Sequence, residues 1–179
     1  MAGPLDFTSA QADDCLMAPI IRRAKPGDAR SLHEAHMRSI KELCRGDYTA
    51  AQIEAWGGRK FDEAERLRTF ASDYVWVIDD GGAVSGFGHF FPTEREGDKF
   101  GWIVALYLTP EVVGLGMGKR MLALIEAEAR RLGLKRIELE STRTALGFYK
   151  LMGFKETGPQ RQPVINGIGI HCFPMSKDL

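Results

Sequence analysis

Between residues 102 and 132 the chain passes from an apolar strand pattern, through a glycine-dense turn, into a long amphipathic helix pattern. The strand is Trp102 to Leu108, closed by Thr109-Pro110, and the turn carries Gly114, Gly116 and Gly118. Met117, Met121, Leu124, Ile125 and Leu132 then recur at helical spacing up to Gly133, a natural stop. Such a turn presents consecutive backbone N–H groups at the positive end of a helix dipole, a natural seat for phosphate. Each charge-assisted hydrogen bond there contributes roughly 1.5–3 kcal/mol, so a few amides hold a diphosphate with little side-chain help. A Walker loop requires glycine where Val113 stands and Ser or Thr where Arg120 stands, so a kinase or ATPase is excluded. A Rossmann fingerprint requires its third glycine where Lys119 stands, and too little chain follows Gly114 to complete that fold. A glycine turn that binds nothing stays open on the glycines alone.

The remaining pattern is that of one α/β domain. Pro19 to Ala24 predicts a strand, and Pro26-Gly27-Asp28 a turn with Asp28 as N-cap of a helix running to Leu43. Leu32, Ala35, Ile40 and Leu43 form that helix's apolar side, with His33, Glu34, Arg38 and Lys41 on its flanks. Thr49-Ala50-Ala51-Gln52 is a capping box for a short helix that carries Ile53 and Trp56 and stops at Gly57-Gly58; a third helix is expected over Asp62 to Phe70. Tyr74 to Ile78 and Ala83 to Phe91 read as a hairpin about Asp79 to Gly82, with a polar turn from Pro92 to Asp98 before the next strand. Arg136 to Glu140 predicts a strand, Thr144 to Met152 a short helix, and Lys155 to Thr157 with Gly169 to Met175 two closing strands. Residues 1–18 lack an apolar period and predict a loose N-terminal extension to a domain over 19–179.

Composition narrows the function. Lys and Arg number 24 against 24 Asp and Glu, so no positive field gathers nucleic acid or an anionic membrane. The beginning Met1-Ala2-Gly3-Pro4 has neither a basic nor an apolar leader pattern, and no apolar run approaches a membrane span; a cytoplasmic protein is expected. Cys15, Cys44 and Cys172 are odd in number and widely spaced, against both a disulfide framework and a cysteine zinc site. His33 and His36 have a metal-compatible helical spacing but no apparent third ligand, so a partly exposed helix face is expected and no metal.

Three segments together resemble the GNAT superfamily of acyl-CoA-dependent N-acetyltransferases over nearly all of residues 19–179. Val113-Gly114-Leu115-Gly116-Met117-Gly118 is similar to the family's pyrophosphate loop, Q/R-x-x-G-x-G/A, after a strand ending in Pro110. Thr142-Arg143-Thr144-Ala145, followed by Phe148-Tyr149 and Gly153-Phe154, is similar to its later motif, N-x-x-A with an aromatic pair and Gly-Phe. Tyr48, Gln52 and Trp56, after a helix containing Ser39-Ile40, resemble one bacterial subgroup of small-molecule acetyltransferases. Two departures stand out. Val113 takes the usual Gln or Arg place, removing a side-chain contact to phosphate but not the backbone donors, and Thr142 replaces Asn while keeping a hydroxyl.

The resemblance implies a mixed, mostly antiparallel sheet with helices on both faces, and a cofactor entering where the strand before Pro110 parts from the Arg136 strand. It implies acetyl-CoA as donor, lying against Leu106, Tyr107 and Leu108, against Val113, Gly114, Leu115, Gly116, Met117, Gly118 and Lys119, and against Thr142, Ala145 and Tyr149. The acceptor is then a primary amine of a small molecule or a peptide N-terminus, attacking directly in a ternary complex; a homodimer is left open.

The chemistry needs a base and an acid, since an alkylammonium near pKa 10 must lose a proton and the departing thiolate must gain one. Tyr149 stands where the family places its acid, with a core tyrosine as the plainer reading. The strand from Ile103 to Leu106 is wholly apolar and offers no carboxylate base, which leaves a water chain ending at His89, Glu140 or His171, with His89 first. Tyr48, Trp56, Phe90 and Trp102 are candidates for an acceptor pocket. The rival reading is a non-catalytic acyl-CoA-binding or regulatory module. A hydrolase is disfavoured because Ser85 follows Ala83 and lacks the G-x-S-x-G elbow.

Overall fold

The structure is a computed structural model and describes residues 18–179. All but the last residue of the expected N-terminal extension, Cys15 included, therefore lies outside the described residues. The elements are β1 (Ile20–Arg23), α1 (Ala29–Leu43), α2 (Ala50–Gly57), α3 (Glu63–Ser72), β2 (Tyr74–Asp80), β3 (Ala83–Arg95), β4 (Asp98–Leu108), α4 (Met117–Arg131), β5 (Arg136–Thr142), α5 (Leu146–Leu151), β6 (Lys155–Glu156), β7 (Val164–Ile165), β8 (Ile168–Gly169) and β9 (Cys172–Asp178). Seven strands form one sheet in the order β1-β2-β3-β4-β5-β9-β6, and every pairing is antiparallel except β4 with β5. This is the mixed, mostly antiparallel sheet expected from the sequence.

Helices cover both faces. On one, Met117, Met121, Leu122, Ile125 and Ala129 of α4 pack with Tyr149 of α5 against Ile78, Phe90, Ile103, Ile137, Leu139 and Met175. On the other, Leu32 and Ala35 of α1 pack against Val75, Val77, Phe87 and Ala105. Buried apolar side chains contribute roughly 1.5–3 kcal/mol each, so these two layers hold the sheet between them. A third cluster, Met37, Ile40, Cys44, Tyr48, Trp56 and Ile170, fastens α2 and the chain before β9 to α1. Among the described residues no helix is long and apolar enough to cross a membrane.

Several boundaries differ from the sequence expectation, each for a physical reason. Asp28 does not cap α1 with its side chain; a 3₁₀ turn over Pro26–Asp28 precedes the helix, and the Asp28 carboxylate instead accepts from Arg22 and from the Lys25 N–H. The capping box of α2 forms as read, with Gln52 N–H donating to the Thr49 hydroxyl and Thr49 N–H to Gln52 Oε1. The third helix runs two residues further, capped by Asp62 accepting from Glu65 N–H. The expected polar turn from Pro92 to Asp98 shrinks to Glu96-Gly97, both at positive φ, because β3 and β4 pair as far as Arg95 and Asp98. Pro92 lies beyond Phe90, the last β3 residue paired with β2, so on that side of the strand it interrupts no ladder. The closing segment holds β7 and β8 as a small hairpin and β9 as a full strand, where a single strand over Gly169 to Met175 was expected.

Candidate active site

β4 and β5 pair at only three positions, Gly101 with Ile137, Trp102 with Glu138 and Ile103 with Leu139. Beyond Ile103 the two parallel strands part. The register between β3 and β4 shifts at the same place: His89 faces Ala105 and Phe90 faces Ile103, leaving Val104 as an extra residue, a β-bulge 45% exposed. The fork therefore opens where the sequence expectation put it.

Two cavities meet at this fork. One, of about 540 Å³, is lined by β4, the glycine turn, the first turn of α4, the end of β5 and α5. It brings together Leu106, Tyr107, Leu108, Val113, Gly114, Gly116, Met117, Gly118, Lys119, Thr142, Ala145 and Tyr149. Of the residues singled out for the cofactor only Leu115 stands apart, 60% exposed between two glycines. Gly114 and Gly116 adopt φ of 81° and 76°, and a Cβ on either would meet nothing within 4 Å; the requirement there is left-handed backbone rather than space. Gly116 is the N-cap of α4, with no side-chain cap, and the first helical bond runs from Arg120 N–H to its carbonyl. The N–H groups of the first turn are thus left without intrahelical partners. α1 and its C-cap add Ser39, Leu43 and Cys44 to the wall, residues not expected there from the sequence.

Tyr149 is buried, its ring edge-on to Phe148 and Phe154, and burial raises its pKa, keeping the phenol protonated. The Thr142 hydroxyl accepts from Ala145 N–H at 3.1 Å, closing the turn that leads into α5.

The second cavity, of about 430 Å³, lies under α1 and against α2, α3 and the chain before β9. His33, His36, Trp56, Trp102, His89 and His171 line it. Two expected pocket residues do not. Phe90 is fully buried beneath α4, and Tyr48 is a tie, its hydroxyl donating to the His171 carbonyl at 2.7 Å and accepting from Arg143 N–H at 2.8 Å. The partly exposed face expected for His33 and His36 holds for His33 alone, which is half-buried; His36 is only 7% exposed, its ring 4.3 Å from that of Tyr107 and edge-on to Phe87. His89 Nε2 lies 2.6 Å from Asp73 Oδ2, and burial, outweighing Asp73, holds its pKa below the ordinary imidazole value. Among the described residues no group of three or more His, Cys, Asp or Glu could hold a metal ion.

Ile103, Val104, Ala105, Tyr107, Glu140 and Thr142 line both cavities. A donor lying in one and an acceptor in the other would meet across the bulge. Glu140 is held there by Arg161 at 3.0 Å, with the Cys172 thiol 3.4 Å from its other oxygen.

The chain and its fold have known counterparts. The chain is 38% identical over 74 residues, 41% of its length, to an amino-acid acetyltransferase of Ralstonia nicotianae, of which it spans only 16%. It is 27% identical over 145 residues to the uncharacterized N-acetyltransferase YjgM of Escherichia coli, covering 77% of this chain and 83% of that one. The PaiA N-acetyltransferase of Thermoplasma acidophilum, solved with coenzyme A, shares the fold at a TM-score of 0.74 and 22% identity over 91% of this chain and all of that one. Residues 37–154, more than half of the chain, match the model of the Acetyltransferase (GNAT) family, and the chain belongs to that family.

Proposed function

We propose that the protein transfers an acetyl group from acetyl-CoA to a primary amine of a small molecule or peptide, by direct attack in a ternary complex. The observation that carries this reading is the meeting of two cavities at the β4–β5 fork, where one strand segment walls both. The cofactor's diphosphate would lie on the N–H groups of Gly116 to Lys119. Its pantetheine arm would follow the free edge of β4, where Leu106 to Leu108 have no β5 partner. The amine would enter from the cavity under α1.

In the transfer, the amine lone pair attacks the thioester carbonyl carbon, the C–S bond breaks, and the thiolate takes a proton while the amine nitrogen loses one. Tyr149 is the proton donor: its phenol lines the cofactor cavity and carries its proton at neutral pH, ready for the thiolate that forms. His89 is the base. Neutral His89 donates its Nε2–H to Asp73, which leaves Nδ1 as the atom that accepts a proton. A second reading gives Glu140 that role, because it lines both cavities while His89 lines only the acceptor's. The cysteines take no part in direct transfer.

Calorimetric titration with acetyl-CoA, ATP and NAD, followed by thiol release in a panel of amines, tests the proposal. Micromolar binding of acetyl-CoA alone, with turnover of at least one amine, is expected. Binding without turnover would favour the regulatory module, and no acetyl-CoA binding at millimolar ligand would refute the assignment of the glycine turn.

A further inference from the structure

The wall of the acceptor cavity away from the fork is cationic. Arg59 and Lys60 follow α2, and Arg66 lies on α3; all three line the acceptor cavity and none lines the cofactor's. Among the described residues none of the three forms an ion pair. Three acids line the cavity too, Asp62 and Glu65 at this end and Glu140 at the fork. Asp62 caps α3 through Glu65 N–H at 2.9 Å, Glu140 pairs with Arg161, and Glu65 is exposed without an ion pair of its own. Arg66 is half-buried, and burial lowers its pKa; Glu65 beside it works the other way and exposed Arg59 adds to the lowering, so two like charges border one cavity.

A buried histidine adjoins them. His36, 7% exposed, presents Nε2 3.3 Å from Arg59 Nη2. A guanidinium only donates, so Nε2 accepts and the imidazole proton sits on Nδ1, which is buried with no partner. Burial, with Arg59 and Arg66, keeps this ring neutral. Leaving polar groups buried and like charges unpaired costs stability, and the arrangement persists most economically where an anion arrives to complete it.

We infer that Arg59 and Arg66 form an anion subsite, and that the acceptor is an amine whose far end carries a carboxylate. The inference rests on the acetyl-transfer reading above and names its substrate class. The carboxylate would lie between the two guanidiniums at the α2–α3 end of the cavity. The amine would then reach the fork at Ala105 and Glu140, where an ammonium also meets the carboxylate of Glu140 before it is deprotonated.

The test uses the full chain, saturated with acetyl-CoA, and follows thiol release with matched acceptors. These are the L-α-amino acids, β-alanine, 4-aminobutyrate and Gly-Gly, each beside its carboxamide and the amine lacking the carboxylate, with aminomethylphosphonate as the dianionic arm. The expected result is a kcat/KM preference for carboxylate over carboxamide of roughly 10-fold or more, expressed mainly in KM. In Arg66→Gln and in Arg59→Gln the ratio collapses toward 1, and Arg66→Lys retains more of it than Arg66→Gln. Arg59 is exposed, so its variant reports even where Arg66→Gln folds poorly. Equal use of carboxamides, absence of turnover with every carboxylate-bearing amine, or a phosphonate preferred to the carboxylates overturns the inference. If acetyl-CoA binds and neutral amines turn over without this preference, the inference falls alone. If acetyl-CoA does not bind, the acetyl-transfer reading falls with it.

Discussion

Replacing Gly116 by alanine separates the backbone's role in ligand binding from its role in the fold. The residue sits at φ 76° and ψ 1°, and left-handed backbone costs an L-residue roughly 1–2 kcal/mol. A Cβ there meets nothing within 4 Å, so no steric penalty is added. In a chain of this size each kcal/mol moves Tm by about 2–4 °C, so a fall of roughly 2–8 °C is expected. The effect on acetyl-CoA is larger. If the strain is relieved by a shift to negative φ, the N–H groups at the start of α4 turn away from the diphosphate; losing two charge-assisted bonds of roughly 1.5–3 kcal/mol each weakens binding by at least about 100-fold. Gly147→Ala is the control, since Gly147 lies within α5 at ordinary φ with open space around its Cα. It should leave Tm unchanged or raise it, with acetyl-CoA affinity intact. Scanning calorimetry and isothermal titration of the three proteins decide the matter. A Gly116→Ala protein with lowered Tm but acetyl-CoA affinity within threefold of the parent would refute the placement of the diphosphate on this turn.

Tyr149→Phe removes one buried hydroxyl and leaves the ring packing against Phe148 and Phe154; Tm should move by less than about 2 °C while kcat drops roughly 10²- to 10⁴-fold, and a kcat within twofold of the parent would take the phenol out of the mechanism. For the base, kcat/KM should rise with pH through an imidazole-like limb set below the ordinary value by burial of His89; His89→Ala should abolish that limb, whereas its survival there and loss in Glu140→Gln would transfer the role to the carboxylate. At the far edge of the sheet Arg22 bonds Asp28 at 2.7 and 2.9 Å and Asp79 at 2.7 Å, and holds both carboxyls below their usual range. Lowered folded values mean stabilisation that is complete above the unfolded carboxyl pKa near 4 and is lost as pH falls through the folded values. Arg22→Gln should therefore cost roughly 1–3 kcal/mol at pH 7 and move the acid-unfolding midpoint upward, and an unchanged acid midpoint would contradict the ion-pair account.

What could be read from the sequence was what neighbouring residues decide among themselves. The strand, glycine turn and helix from Trp102 to Leu132 are local, as is the Thr49–Gln52 box, and both stand in the structure as expected. Asp28 was misread because its competitor, Arg22, lies on a different element. The polar look of Pro92 to Asp98 hid two strands whose outer ends pair only with each other. The cofactor wall contributed by Ser39, Leu43 and Cys44, and the acceptor wall contributed by Arg59 and Arg66, arise from α1, α2 and α3 folding over a sheet made later in the chain. Neither had a local signal. Phe90 and Tyr48 carried the right chemistry for a pocket but point into packing and a tether, a distinction that only tertiary geometry makes.

The extra residue at Val104 also sets a count. Upstream of it Ile103 packs beneath α4, and downstream Leu106 and Leu108 do so, while Ala105 and Tyr107 turn toward α1; odd and even positions exchange faces at this point. Leu106 and Leu108, which line only the larger cavity, thus alternate along one strand with Ala105 and Tyr107, which line both, and the phase of that alternation depends on a single inserted position. The half-exposed Val104 belongs to neither buried cluster, yet removing the residue would turn Leu106 and Leu108 toward α1 and Tyr107 toward α4. At Val104 it is the number of residues that sets which face each later side chain takes.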